Sequence, residues 1–284
     1  MSTETFRAMG CEIVVAGAGR RAGAAIRRLF ADRERVFSRF LPGSELTSVN
    51  GSAGRPTVVS AEFAEMLERS LALAAETDGL VDPTVGGALA ALGYTRDLAA
   101  LGDDPEPAGP PAPAPGWRSV ELSGRLLVMP AGCALDLNGV VKSAAVDDAA
   151  ALLDGDGFVS AGGDLAARGP TTVSLPGGGA VTVVHGGIAT SGTSKRRWHR
   201  AGELHHHLVD PATGRSAVSP WEAVTASGAT CVAADVAARA AFLAGRDGPE
   251  WLVRRGIPGR FLAGDGTIAV NRSWEATAGE PACT

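Results

Sequence analysis

FVSAGGDLAARG (residues 158–169) decides the fold class, because it joins two apolar segments through a pair of adjacent glycines. It predicts a glycine-punctuated strand, and the chain after it, through WEAVTAS (221–227), favours further strands. Helical spacing appears on either side, in KSAAVDDAAALLDG (142–155) and DVAARAAFLAG (235–245). Helices and strands therefore mix without the regular alternation of a doubly wound sheet, which favours an α+β fold.

The rest of the chain extends this pattern. CEIVVAG (11–17) predicts an opening strand, a helix is expected over 23–40, and a second helix over 61–75 ends at Thr77-Asp78-Gly79. DDPEPAGPPAPAPG (103–116) contains six prolines and predicts an exposed, extended segment. Further elements are predicted at VEL, RLLVMP, AVTVVHG, GIATSG, HHHLVD, RFLAG and TIAVN (strands) and at GPEWLVRRG (a short helix).

Composition narrows the function classes. The chain has 26 basic and 31 acidic residues, a net charge of −5, so no basic field exists to attract nucleic acid or an anionic membrane. The N-terminal sequence lacks a signal-peptide pattern and no 18-residue apolar run occurs, which predicts no membrane insertion and a cytoplasmic location. The four cysteines, Cys11, Cys133, Cys231 and Cys283, lack the CxxC spacing of a zinc site.

Two glycine-containing segments are candidates for phosphate contact. LDLNGVVKSAAVDDAA (135–150) predicts a strand ending at Asp136, a turn at Asn138-Gly139 and a helix opening near Lys142, one of only two lysines. It resembles a phosphate cradle but lacks the GxxxxGK[ST] pattern. In the second segment Gly162-Gly163 precedes Asp164, and either close approach of a ligand or a simple bulge or tight turn accounts for the glycines.

A run of three histidines stands within GELHHHLVDPATG (202–214). Adjacent residues on a strand point to opposite faces, so His205, His206 and His207 do not all converge on one metal ion unless the backbone bends sharply. Two interpretations stay open: one of the three histidines has a chemical role, or all three are solvated polar residues before a turn.

Eight segments, taken in order, resemble the FAD:protein FMN transferases, the ApbE-like family. The segments are FRAMGCEIVV, FSRFLPGSELTSVN, TDGLVDPTVGG, LDLNGVVKSAAVD, AGGDLAARG, IATSG, HHHLVDPATG and VAADVAARAAFLAG. They cover nearly the whole chain, which predicts a single domain over residues 1–284 with the proline-rich stretch 103–116 as an insertion. The resemblance implies a mixed, two-lobed α+β fold that binds FAD in a cleft between the lobes.

The resemblance also implies an activity. Such proteins move the FMN half of FAD onto a Ser or Thr hydroxyl of a target flavoprotein and release AMP, using a divalent metal that is normally Mg²⁺. Two alternatives remain open: an FAD pyrophosphatase that forms FMN and AMP, and a non-catalytic FAD-binding paralogue with a degraded metal site. Many relatives are exported lipoproteins.

Site residues follow from the same resemblance. His207 matches the catalytic histidine, while His205 and His206 are expected to be structural or solvated. The positions expected to line FAD are Met9, Phe40, Gly93, Tyr94, Asp136, Lys142, Gly162, Gly163, Asp164 and Val209. The expected metal ligands are Asp235 and the backbone carbonyl of Gly139.

Three features depart from the family pattern or add to it. Arg239 stands one helical turn after Asp235, where an oxygen-bearing metal ligand is usual, so it either extends away or pairs with Asp235 in place of the cation. Lys142 is followed by Ser143 and Ala144 instead of glycine and an aromatic residue. Ser-Gly-Ala-Thr at 227–230 looks like the core of the family's target motif. Self-modification is therefore a hypothesis, which the intact mass after incubation with FAD and Mg²⁺ tests.

Overall fold

A computed structural model describes residues 2–102 and 104–278, so Asp103 and Cys283 lie outside the described residues. The described chain is α+β, which confirms the predicted fold class. The strands are β1 (Thr3–Ala8), β2 (Cys11–Ala16), β3 (Thr57–Val58), β4 (Glu121–Ser123), β5 (Leu126–Val128), β6 (Gly157–Ala161), β7 (Asp164–Ser174), β8 (Ala180–Gly192), β9 (Arg197–Arg200), β10 (Glu203–His206), β11 (Val209–Asp210), β12 (Arg215–Ser216), β13 (Trp221–Gly228), β14 (Gly259–Ala263) and β15 (Ile268–Val270). The helices are α1 (Arg20–Phe37), α2 (Glu45–Gly51), α3 (Ala61–Glu76), α4 (Gly86–Ala91), α5 (Asn138–Ala151), α6 (Cys231–Leu243), α7 (Gly248–Val253) and α8 (Arg272–Ala278).

The chain divides into two compact units. Unit 1 comprises Met1–Leu29, Lys142–Ser194 and Val218–Thr284, and unit 2 comprises Phe30–Val141 and Lys195–Ala217. The boundaries fall inside α1 and inside α5. The predicted single functional domain over the whole chain stays a prediction.

Unit 1 is built on one antiparallel sheet with the strand order β1-β2-β6-β7-β8-β13-β14-β15. Helix α6 packs on β8 and β13 and is buried along almost its whole length, as expected for a helix that is apolar on nearly all sides. Gly187 permits the close approach, because a Cβ there would lie 2.4 Å from the backbone of Cys231. Sheet and helix together form the core of unit 1.

Helix α6 begins on two caps. The Asp147 carboxylate of α5 accepts from the amides of Cys231 (2.7 Å) and Val232 (3.0 Å), and the Thr230 hydroxyl accepts from Ala233 (3.1 Å). These acceptors satisfy amides that the first turn of a helix leaves free. The Thr230 hydroxyl of the possible self-modification motif is therefore engaged in the fold.

The described residues of unit 2, 30–102, 104–141 and 195–217, form three small sheets, in the orders β3-β5-β4, β9-β10 and β11-β12. Ser60 caps α3, its hydroxyl accepting from the Phe63 amide at 3.1 Å. The proline-rich segment, described from Asp104, is extended and mostly exposed as predicted. It is fixed by backbone hydrogen bonds from Gly109 to Ala91 and from Ala114 to Pro211.

Several predicted boundaries are corrected by the fold. FVSAGGDLAARG is two strands, β6 and β7, because Gly162-Gly163 forms the turn between them. HHHLVD is likewise divided into β10 and β11, whereas AVTVVHG and GIATSG form the single strand β8. Helix α5 begins at Asn138, so the expected turn at Asn138-Gly139 is already helical and Lys142 lies one turn inside.

Candidate functional site

Two hairpin turns of unit 1 lie side by side at one end of the sheet. Met9 and Gly10 form the β1–β2 turn with φ of 51° and 69°, and Gly162 and Gly163 form the β6–β7 turn with φ of 63° and 112°. The Gly162 amide donates to the Glu12 carbonyl at 3.0 Å, which joins the two turns. Glycine tolerates positive φ, but a methionine there is strained, so the Met9 backbone conformation is imposed by its surroundings.

Lys142 and Asp164 form a buried ion pair beside the second turn. The exposed fractions of their side chains are 10% and 4%. Asp164 opens β7 directly after Gly163, and Lys142 approaches from α5. The pair therefore presents an ammonium group next to a turn whose glycines leave the backbone accessible.

A second buried pair lies on α6. Asp235 is 2% exposed, and its Oδ1 lies 3.5 Å from Nη2 of Arg239. Of the two arrangements left open for Arg239, the structure has the ion pair. The Oδ2 atom of Asp235 and the Nε atom of Arg239 are buried without a hydrogen-bond partner, so each keeps unused capacity.

The Cys231 thiol connects these charges. Burial raises the pKa of this thiol well above its usual value, the negative charges of Asp235 and Asp147 raise it further, and Lys142 opposes them. All three side chains are thus within electrostatic reach of one sulfur atom. Lys142, the 162–164 turn and Asp235 all lie in unit 1, and a common ligand for them stays a prediction.

The residues around Asp235 do not fit a divalent-metal site. Mg²⁺ takes oxygen ligands, and the position one turn after Asp235 carries a guanidinium group, which has no lone pair and repels cations. Within residues 2–102 and 104–278, no group of three or more His, Cys, Asp or Glu side chains could hold a metal ion. Gly139, the other expected ligand, is buried in the first turn of α5 and belongs to unit 2.

Unit 2 contributes an aromatic cluster. Tyr94 stacks on Trp198 with ring centroids 4.9 Å apart, and Phe40 meets Tyr94 edge-on at 5.3 Å. The Arg39 guanidinium lies 4.8 Å from the Phe40 ring and 5.0 Å from the Tyr94 ring, and its Nε is 2.7 Å from Asp136 Oδ2. This arrangement offers flat apolar surface with a buried cation at its edge, which suits a planar aromatic ligand.

Charge around Tyr94 and Asp136 is balanced. Burial raises the pKa of the Tyr94 hydroxyl, Arg196 and Arg39 lower it, and Asp136 raises it. The other oxygen of Asp136 accepts from the Asn138 amide at 2.8 Å, so this carboxylate also supports the start of α5.

Gly93 and Val209 serve packing in unit 2. A Cβ on Gly93 would lie 2.2 Å from Cδ of Arg200, whose Nε donates to the Glu106 carbonyl at 3.1 Å in the proline-rich segment. Val209 belongs to the apolar cluster of Ala88, Leu89, Leu92, Trp198 and Val209. Any ligand contact from these two positions is therefore expected through the backbone.

The three histidines occupy different environments. His205 is buried on the Trp198 side of β10, and burial lowers the pKa of its imidazole. His206 Nε2 lies 3.1 Å from the Ala217 carbonyl, and burial lowers its pKa as well, which agrees with the structural roles expected for both. His207 follows the end of β10 and is half-buried, with Nδ1 3.4 Å from the Arg196 carbonyl.

Sequence reasoning missed two members of the aromatic cluster, Arg39 and Trp198. Arg39 directly precedes Phe40 in FSRF, which could have suggested it as a neighbour of that ring. Trp198 carried a weaker signal, since it is an apolar residue between exposed charges in KRRWHR (195–200). Its indole Nε1 donates to the Leu92 carbonyl at 2.7 Å, which fixes the ring beneath Tyr94.

Sequence comparisons relate the chain to one protein family. The pattern of the ApbE family matches residues 9–261. A FAD:protein FMN transferase of Rhodobacter capsulatus is 31% identical over 241 residues, covering 75% of this chain and 46% of the relative, so the chain spans about half of that protein. One from Treponema pallidum (strain Nichols) is 26% identical, covering 85% of this chain and 78% of the relative.

Solved structures share the fold. The ApbE protein of Thermotoga maritima superposes with a TM-score of 0.85 at 23% identity, covering 98% of this chain and 99% of that chain. The apo flavinyl transferase ApbE of Pseudomonas stutzeri gives 0.79 at 20% identity, covering 97% of each. At these identities the likeness shows the fold alone.

Proposed function

The chain belongs to the ApbE family, and from that premise we propose that it is an FAD:protein FMN transferase acting on a Ser or Thr hydroxyl of a partner flavoprotein. The observation that carries the proposal is the family match over residues 9–261, together with relatives named for this activity. The residues expected to contact FAD fall in both units, and the support from each unit is separate.

Unit 2 supports binding of the flavin ring. Phe40 and Tyr94 supply apolar aromatic surface, with the buried Trp198 ring stacked beneath Tyr94, and stacking on such rings is favourable for a flat, electron-poor ring system. The Arg39–Asp136 pair holds the cluster in place, because the guanidinium contacts both rings and also donates to the Tyr94 carbonyl at 3.1 Å. Binding of the flavin ring by unit 2 then depends on these contacts, which already hold the aromatic side chains in position.

Unit 1 supports binding of the pyrophosphate. The turns at Met9-Gly10 and Gly162-Gly163 bring backbone to the surface where a ligand reaches it closely, and Lys142 adds a positive charge beside Asp164. Backbone amides and an ammonium group are both suited to phosphate oxygens. Unit 1 therefore supplies donors to the half of FAD that carries charge.

His207 is proposed as the general base. If Nδ1 donates to the Arg196 carbonyl, the lone pair of the neutral ring lies on Nε2, which is the form that accepts a proton. The acceptor hydroxyl gives its proton to this nitrogen as its oxygen bonds to the FMN phosphorus. The bond from that phosphorus to the bridging oxygen breaks, and AMP leaves with the bridging oxygen. No step is assigned to a metal ion, because the surroundings of Asp235 do not fit one.

Incubation of the chain with FAD and an acceptor peptide or domain tests the proposal. AMP release with a flavin-labelled acceptor is the expected result; AMP with free FMN indicates the pyrophosphatase, and bound, unchanged FAD indicates a binding protein. His207→Asn should lower transfer by about 10²-fold or more at unchanged FAD affinity. His199→Asn, an exposed histidine on the same hairpin, is the matched control and should retain full activity. Equal losses in both variants would exclude a specific role for His207.

A further inference from the structure

The buried carboxylate of Asp235 already has a cation. Its Oδ1 lies 3.5 Å from Arg239 Nη2, and both residues lie on α6 one turn apart. A carboxylate that is 2% exposed requires a positive partner or a proton, and Arg239 supplies the positive charge permanently. The positive charge that balances the Asp235 carboxylate therefore belongs to a side chain of the protein itself.

Two unused hydrogen-bonding atoms remain at this pair. Asp235 Oδ2 and Arg239 Nε are both buried and lack hydrogen-bond partners, although buried polar atoms are nearly always bonded. The side chain of Arg239 is 20% exposed, so part of it remains accessible to solvent. A guanidinium that pairs with a carboxylate and stays partly exposed is suited to donate to a phosphate oxygen as well.

We propose that Arg239 takes the place of a divalent cation at Asp235, so that this chain binds the pyrophosphate of FAD without Mg²⁺. The proposal rests on FAD being the ligand, as proposed above. The Arg239 guanidinium balances Asp235 and directs its remaining donors to the phosphates, whereas Mg²⁺ is repelled by it and finds no oxygen ligand at that position.

Substitution of Arg239 alone should make FAD binding depend on Mg²⁺. Arg239→Thr removes the cation and places a hydroxyl oxygen one turn from the Asp235 carboxylate, where both face the same side of the helix. This variant should bind FAD about tenfold or more weakly than the natural chain in EDTA, and Mg²⁺ should restore much of the loss. Arg239→Lys keeps the charge and should stay insensitive to Mg²⁺.

Flavin fluorescence titrations in EDTA and in Mg²⁺ measure these affinities. The natural chain should show less than about a twofold difference between the two conditions. Arg254→Thr is the matched control, because Arg254, the residue that follows α7, pairs with Glu250 at the same i,i+4 spacing but in an exposed position. It should behave as the natural chain in both conditions.

A second measurement separates this proposal from the proposed function. Mn²⁺ is titrated calorimetrically into the chain without FAD, where Arg239→Thr should bind the ion, while the natural chain and Arg239→Lys should not. A natural chain that binds Mn²⁺ and loses it in Asp235→Asn overturns the proposal, as does FAD affinity that rises about tenfold with Mg²⁺. If FAD binds in neither condition, the proposed function fails and the Mn²⁺ titration still decides the role of Arg239.

Discussion

Breaking the Lys142–Asp164 ion pair should strongly destabilise the protein. Lys142→Met removes the ammonium but keeps an unbranched apolar stem, leaving the carboxylate of Asp164, whose side chain is 4% exposed, without its partner. Removing one member of a buried pair costs about 3–5 kcal/mol, because the remaining charge is neither solvated nor neutralised. With an unfolding entropy of about 2.1 cal/mol/K per residue, 284 residues give about 0.6 kcal/mol/K, so Tm should fall by about 5–8 °C.

Scanning calorimetry near neutral pH without FAD measures this shift. The double variant Lys142→Met/Asp164→Asn should recover at least half of the loss, because no unpaired charge remains. Arg35→Met is the control: Arg35 and Asp32 lie 3.2 Å apart but are 69% and 46% exposed, and such pairs contribute about 0–1 kcal/mol. A shift in Lys142→Met no larger than in Arg35→Met would refute the buried-pair argument.

The other predictions concern three sites. Met9→Asn should raise the free energy of unfolding by about 0.5–1 kcal/mol, since asparagine tolerates the positive φ of the turn. The same variant should weaken FAD binding if the thioether contacts the flavin. Thermal melts measure the first effect and flavin titration the second. Asp136→Asn leaves the buried Arg39 guanidinium without its carboxylate and should lower both thermal stability, by about 3 kcal/mol, and flavin affinity. Burial lowers the pKa of His205, so the unfolded chain binds this proton first and stability is lost as pH falls below about 6.5. His205→Phe should reduce the fall in Tm between about pH 7.5 and 5.5, and the part due to His206, whose pKa burial also lowers, should remain.

The sequence predicted those elements whose stabilising interactions lie between residues close together in the chain. The helix expected over 61–75 is α3, because apolar periodicity and the Ser60 cap act within a few residues of each other. The double glycine was correctly tied to a tight turn as one of two interpretations. The β1–β2 turn was missed, because Met9, its first central residue, has positive φ although methionine is not among the residues that favour that position.

Contacts between distant segments could not be derived in the same way. No spacing rule joins Tyr94 to Trp198 or Arg39 to Asp136, since these pairs form only when the helices and small sheets of unit 2 pack. The resemblance supplied Tyr94 and Asp136 but not their partners. The partners determine the electrostatics, because it is Arg39 that places a buried cation against two aromatic rings.

The charges gathered in unit 1 are matched within the chain. Lys142 balances Asp164, Arg239 balances Asp235, and Asp147 lies at the positive N-terminal end of α6. These five side chains carry one net negative charge, which the positive end of α6 partly offsets, so what they offer a pyrophosphate is the direction of their N–H groups and not a positive field. For that reason Arg239→Lys, which keeps the charge but loses the planar fork, should bind FAD more weakly while remaining indifferent to Mg²⁺. Charge balance and donor geometry are thereby separable at a single position.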